Sequence, residues 1–158
     1  MLRYMTSGES HGKQLMGILE GIPSGLGIRE KDINVELKRR QAGYGRGARM
    51  KIEADTVRIV SGLHKGFTTG APIGLVIENR DSSIDALSVI LRPRPGHADL
   101  PGYLKYQCKD MRDILERSSA RETAMRVGIG AVCKVFLETG NIEIISHVTA
   151  LGGIHAHI

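Results

Sequence analysis

Four short stretches of this chain bring together residue types that can move protons or hold anions. Gly8-Glu9-Ser10-His11-Gly12 sets a hydroxyl beside an imidazole between glycines and fits the G-x-S-x-G pattern of a nucleophile elbow. An elbow needs a helix straight after the serine, whereas residues 13–22 carry Gly17 and Gly21 and read as a strand. A glycine-rich turn explains the match better than a hydrolase does. In such a turn Ser10 and His11 either satisfy local backbone groups or bind an anion and handle a proton.

The second stretch runs from Arg39 to Arg49, with Arg40, Arg46 and Arg49 interleaved with Gly43, Tyr44, Gly45 and Gly47. Guanidinium groups hold carboxylates and phosphates through paired hydrogen bonds, and small residues between them let a loop close over a compact ligand. Taken alone, such a cluster is as readily a solvated basic loop, and an Arg/Gly nucleic-acid module is the other rival. In the third stretch, Arg94-Pro95-Gly96-His97-Ala98-Asp99, a histidine stands near an aspartate on a loop stiffened by Pro93 and Pro95, as a general acid requires. The fourth, Glu116-Arg117-Ser118-Ser119-Ala120-Arg121-Glu122, offers two hydroxyls and two arginines where a helix begins, a ready anion site. It also reads as a capping box, with Ser119 and Glu122 exchanging bonds with first-turn amides. His155 and His157 lack an acidic or thiol partner, so no metal is expected.

The elements that must position these stretches follow from periodicity. Strands are expected over 15–22, 57–62, 71–79 and 142–148, the second and third forming a hairpin around 65–70. A helix over 30–40 places Ile33 and Leu37 on one face and ends in Lys38, Arg39 and Arg40, which suit the negative end of its dipole. A short helix is expected over 110–116, and a long one over 120–138 with Ala124, Val127, Ala131, Val132 and Val135 on an apolar stripe. This mixture is an α/β one, and periodicity takes it no finer.

The wording and order of these stretches closely resemble chorismate synthase. The resemblance rests on Gly8–Gly12, Glu20-Gly21-Ile22-Pro23, Arg39-Arg40-Gln41 with Gly43-Tyr44-Gly45-Arg46-Gly47, Arg49-Met50-Lys51-Ile52-Glu53, Arg94–Asp99 and Arg117-Ser118-Ser119-Ala120-Arg121-Glu122-Thr123-Ala124. It implies an α+β fold in which helices are sandwiched between antiparallel sheets, with residues 1–158 forming the amino-terminal part of one domain. It implies a lyase of the shikimate pathway that eliminates phosphate from 5-enolpyruvylshikimate 3-phosphate to give chorismate. Reduced FMN is then the cofactor, NAD(P)H only an external reductant, and a homotetramer the full-length assembly. Under the resemblance His11 and His97 are catalytic, and Ser10, Arg40, Arg46, Arg49 and Arg94 contact substrate. Arg117, Ser118 and Ser119 contact FMN. The stretch Gly62-Leu63-His64-Lys65-Gly66 departs from the family pattern of arginine then histidine, so no role is assigned there. Members of the family are considerably longer, so this chain is expected to be a fragment and inactive by itself.

Composition agrees with an anion-binding enzyme. The 158 residues carry 22 Lys and Arg against 17 Asp and Glu, a net charge of +5. Six of those cations lie between Glu36 and Glu53, so the excess is local. With no Trp, four Tyr and two Phe, few rings are available to stack bases, and small anions fit better than nucleic acid. No apolar run approaches the ~18 residues of a membrane span, and the start lacks a signal-peptide core; a cytoplasmic protein without membrane contact is expected. Cys108 and Cys133 show neither disulfide nor zinc spacing.

Overall fold

The computed structural model describes residues 1–42 and 52–156. Four strands form one antiparallel sheet: β1 (Arg3–Ser7), β2 (Gln14–Glu20), β3 (Val57–Ser61) and β6 (Ile73–Glu78), in the order β1-β2-β6-β3. Between β3 and β6 a small hairpin of β4 (Leu63–His64) and β5 (Phe67–Thr68) turns through Lys65 and Gly66. The predicted hairpin is therefore present, with a second one nested inside it. The stretch Leu63–Lys65, to which no role is assigned, spans β4 and the first residue of this turn.

Alternation decides which way the sheet faces. Leu15 and Leu19 of β2 are 1% exposed while their neighbours Met16 and Ile18 are 40% and 49% exposed, the mark of a strand with one covered face. The cover is α1 (Glu30–Gln41) and α4 (Glu122–Glu138). From α1, Ile33 and Leu37 are fully buried; from α4, Ala124, Met125 and Val132 are too, and they meet Leu75 and Ile77 of β6 in one core. The helix start of α1 is fixed by Asp32, whose carboxylate accepts the Arg29 N–H at 2.9 Å, and Lys38, Arg39 and Arg40 fill its last turn.

The remaining chain makes α2 (Asp99–Tyr106) and α3 (Arg112–Arg117), which pack together, and a terminal hairpin of β7 (Ala150–Leu151) and β8 (Ile154–His155). At Gly102 an added Cβ would collide with the Ile114 side chain, so this close approach of α2 to α3 requires glycine. The class is α+β: an antiparallel sheet with a segregated helix layer.

Three expectations are corrected. No strand forms over 142–148, whose residues are exposed and lack a pairing partner among the described residues. The long helix starts two residues later than expected, at Glu122. Its capping box does not form: Ser119 Oγ donates to Ser10 and accepts the Arg121 N–H at 3.4 Å rather than that of Glu122, and the Glu122 carboxylate accepts from Thr6 and Arg126. The helix α2 was not foreseen. Among the described residues no helix is long and apolar enough to cross a membrane, and no cluster of three metal-ligating side chains occurs.

Candidate active site

The loop joining β1 to β2 carries Ser10 and His11. Gly8 enters it at φ +107°, and a Cβ there would come within 2.5 Å of the Gln14 carbonyl, so glycine is required where the loop folds back on β2. The Asn79 amide, beyond the end of β6, donates to the carbonyls of Glu9 (3.1 Å) and Gly12 (2.7 Å) and so fixes the loop from beneath. Arg121 Nε in turn donates to Asn79 Oδ1 at 2.8 Å.

Against this loop lies the end of α3 and the turn into α4. Ser10 N–H donates to the Glu116 carbonyl at 3.1 Å, and Ser119 Oγ donates to Ser10 Oγ at 3.1 Å. The Glu116 carboxylate, whose side chain is fully buried, accepts the His11 backbone N–H at 2.9 Å and faces His11 Nδ1 at 2.8 Å. Arg112 reaches the other carboxylate oxygen at 3.4 Å. The far ring nitrogen of His11, Nε2, stands 3.7 Å from Asp81, and a quarter of the side chain remains exposed. Segments more than 100 residues apart in sequence thus meet on one imidazole.

Arg94, His97 and Asp99 form a second cluster at the start of α2. The buried Asp99 carboxylate accepts from Arg94 N and Nε at 2.9 and 2.8 Å and from its Nη2 at 2.9 Å. His97 Nδ1 lies 2.9 Å from both Arg94 Nη2 and Asp99 Oδ1. An unprotonated Nδ1 accepts from the guanidinium and a protonated one donates to the carboxylate, so either state of the ring finds a partner. Hydrogen bonds from the Arg94 guanidinium hold the Asp99 carboxyl well below the usual carboxylate range, and the Arg94 pKa is raised, chiefly by Asp99 with a further contribution from the charge of Glu116. The two clusters therefore share one electrostatic neighbourhood.

That depression fixes a pH dependence. Asp99 takes up its proton more readily unfolded, near pH 4, than folded, so its stabilisation is complete above that value and is lost as pH falls toward the folded pKa. Thermal unfolding of the chain between about pH 5 and 2 should show a steep acid limb that Asp99→Asn flattens; equal acid slopes in the two proteins would remove Asp99 from the account.

The other residues singled out by the sequence divide. Arg40, at the end of α1, donates to the Ala120 carbonyl (2.9 Å) and Thr123 Oγ1 (2.8 Å) and to the buried Asp55 (3.3 Å), which places it at the start of α4 as an anchored guanidinium. Arg46 and Arg49 lie outside the described residues, but the stem of their loop is pinned: Gln41 Nε2 donates to the Glu53 carbonyl at 2.8 Å and Gln41 Oε1 accepts from Asp55 N at 3.2 Å. Arg117, Ser118 and Ser119 line an open cavity of about 380 Å³ with Ala120, Glu122, Thr123 and Arg126. Arg117 Nη2 donates to Thr6 O and Oγ1, while its buried Nη1 makes no hydrogen bond among the described residues and faces the Glu122 carboxylate at 3.8 Å. Sequence reasoning missed the functions of Glu116, Asp81, Asn79 and Asp55 as partners. The one local signal was the i,i+4 spacing of Arg112 and Glu116, which pairs them on α3.

Comparison with known proteins follows the same residues. The chorismate synthase family profile matches residues 2–158. The chain belongs to the chorismate synthase family. It is 53% identical over 171 aligned positions to a protein named chorismate synthase from Streptococcus equi subsp. equi, covering 99% of this chain and 44% of that one. A chorismate synthase of Staphylococcus aureus is also 53% identical, with 97% of this chain and 44% of that protein covered. A crystal structure of chorismate synthase superposes with a TM-score of 0.80 at 48% identity, over 98% of this chain and 39% of the solved one. The chain thus spans less than half the length of these chorismate synthases.

Proposed function

We propose that this chain carries the His11 and His97 half of a chorismate synthase active site, and that the protein at the length of its relatives eliminates phosphate from 5-enolpyruvylshikimate 3-phosphate in the cytoplasm as a homotetramer. The observation that carries the reading is the meeting of Ser10 and His11 with Glu116 and Ser119, which turns two separate motifs into one site. The substrate presents two carboxylates and a phosphate, and elimination develops negative charge on the departing oxygens. A partly exposed imidazole and nearby guanidinium groups suit that demand.

The residues present also fit reduced FMN. The cavity at the start of α4 offers Arg117, Ser118, Ser119 and Arg126 to an anionic group, and the buried Arg117 Nη1 without a hydrogen bond is a donor for one. Reduced FMN, when bound, supplies electron density transiently to the substrate, with NAD(P)H serving only to keep it reduced. His11 presents Nε2, the nitrogen not engaged by Glu116, as the atom that passes a proton to the leaving phosphate: the imidazolium gives its Nε2 proton and is left with its remaining proton on Nδ1 toward Glu116. His97, bracketed by a donor and an acceptor, can hold or return a proton at Nδ1 without any rearrangement of its loop. Arg94, fixed by Asp99, orients a carboxylate or phosphate of the substrate. Ser10, Arg40, Arg46 and Arg49 complete the contacts to substrate in this reading.

A pocket for a cofactor usually covers about 70 to 90% of its ligand, and the open cavity here covers one edge, so the 158-residue chain by itself is expected to bind FMN weakly and to turn nothing over. The deciding experiment adds the protein, extended to the length of its relatives, to reduced FMN and the phosphorylated substrate. A change in flavin absorption that depends on substrate, with release of phosphate, is the expected result. A salt-dependent shift of an oligonucleotide with no flavin change would overturn the reading in favour of a nucleic-acid module.

A further inference from the structure

Glu116 lies on the last turn of α3 and is 1% exposed, an expensive position for an acid unless its oxygens are used. One oxygen accepts the His11 backbone N–H and faces Nδ1 of the same residue; the other takes Arg112. An oxygen already accepting a backbone N–H and paired across the carboxylate with a guanidinium is an acceptor, so the ring nitrogen it faces must donate. For the neutral ring that selects the Nδ1–H tautomer, with Nε2 turned toward Asp81. Free imidazole in water favours the opposite tautomer, so the arrangement is imposed by the protein.

We propose that Glu116 is a positioning residue that sets the tautomer and orientation of His11, presenting Nε2 to the reacting group. Its catalytic consequence rests on the proposed role of His11; the tautomer itself does not. The fixation has two points, because the same oxygen grips backbone and ring and so removes rotation about the side chain as well as choosing the proton's position. Among the described residues, the charged groups facing the His11 ring and its partner include Asp81 from the segment after β6 and Arg112 from α3.

The test is nitrogen-detected NMR of the His11 imidazole in the 158-residue chain, together with kinetics in the extended protein. In the unsubstituted chain, at a pH where the ring is neutral, Nδ1 should be protonated and Nε2 unprotonated. Glu116→Met, which keeps volume but removes the acceptor, should move the ring to the Nε2–H tautomer and lower kcat roughly 10- to 100-fold with KM little changed, the scale of losing a histidine's orienting partner. Glu116→Gln retains an acceptor oxygen and should keep the Nδ1–H signature and most of the turnover. A neutral ring that carries its proton on Nε2 in the unsubstituted chain overturns the proposal with no variant needed. So does a Glu116→Met protein with an unchanged tautomer, or one with normal kcat where His11→Ala is inactive. Normal turnover in His11→Ala itself would instead strike the functional reading and leave the tautomer assignment standing.

Discussion

Replacing His11 or His97 by alanine in the extended protein is expected to cut turnover by about 100- to 10,000-fold, the usual contribution of a general acid or base, while leaving a folded protein that still binds flavin. Neither ring belongs to the core: their side chains are 25% and 31% exposed, and both sit on loops beside a buried carboxylate. Their removal should therefore cost little stability. His11→Ala leaves the backbone bond from residue 11 to Glu116 in place, so the loop keeps its path. His97→Ala leaves Asp99 fully engaged with Arg94. Single-turnover kinetics with reduced flavin, alongside thermal melting, separate chemistry from folding. Near-normal turnover in either variant would make that histidine a structural member of its loop.

What sequence reveals about this site depends on how far apart the cooperating residues lie. Arg94, His97 and Asp99 are within six residues of one another, so a single stiff loop predicts their contact and the structure contains it. His11 and Glu116 are 105 positions apart, and nothing in either stretch names the other. The same division holds for the elements. Periodicity finds α1, α4 and the alternating β2 because one face of each is buried against the core. It misses α2 because Pro101 and Gly102 look like breakers. Pro101 stands in the first turn, where its missing N–H is not needed, and Gly102 is demanded by Ile114 of α3, a tertiary reason invisible along the chain. The reverse error occurs over 142–148, where Ile142, Ile144 and Val148 alternate acceptably but pairing requires a neighbour that the described residues do not supply. Ser119 and Glu122 show that a correct local motif yields when better partners lie across the fold, here Ser10 and Thr6.

The second large effect concerns Arg121, whose replacement by methionine is expected to cost about 3 to 5 kcal/mol of stability, the range for removing one partner of a buried ion pair. Arg121 is 4% exposed and engages three side chains from two segments: it donates to Asp55 through Nη1 and to Asn79 through Nε at 2.8 Å, while its Nη2 forms an ion pair with the Glu53 carboxylate at 3.6 Å. Both carboxylates are buried. Arg40 still faces Asp55 at 3.3 Å and the Arg80 N–H still serves Glu53 at 2.9 Å, so the loss is partial rather than a bare pair of charges. Methionine fills the volume but gives no donor, and Asn79 loses the bond that holds it beneath Glu9 and Gly12. Because Asn79 holds the carbonyls of Glu9 and Gly12, the substitution should also loosen the loop that carries Ser10 and His11. Urea unfolding of Arg121→Met beside Arg39→Met provides the comparison. Arg39 is 65% exposed in its pair with Glu36, and such surface pairs contribute at most about 1 kcal/mol. Equal losses in the two variants would mean that the Arg121 network is already satisfied by its other members and does not hold the site together.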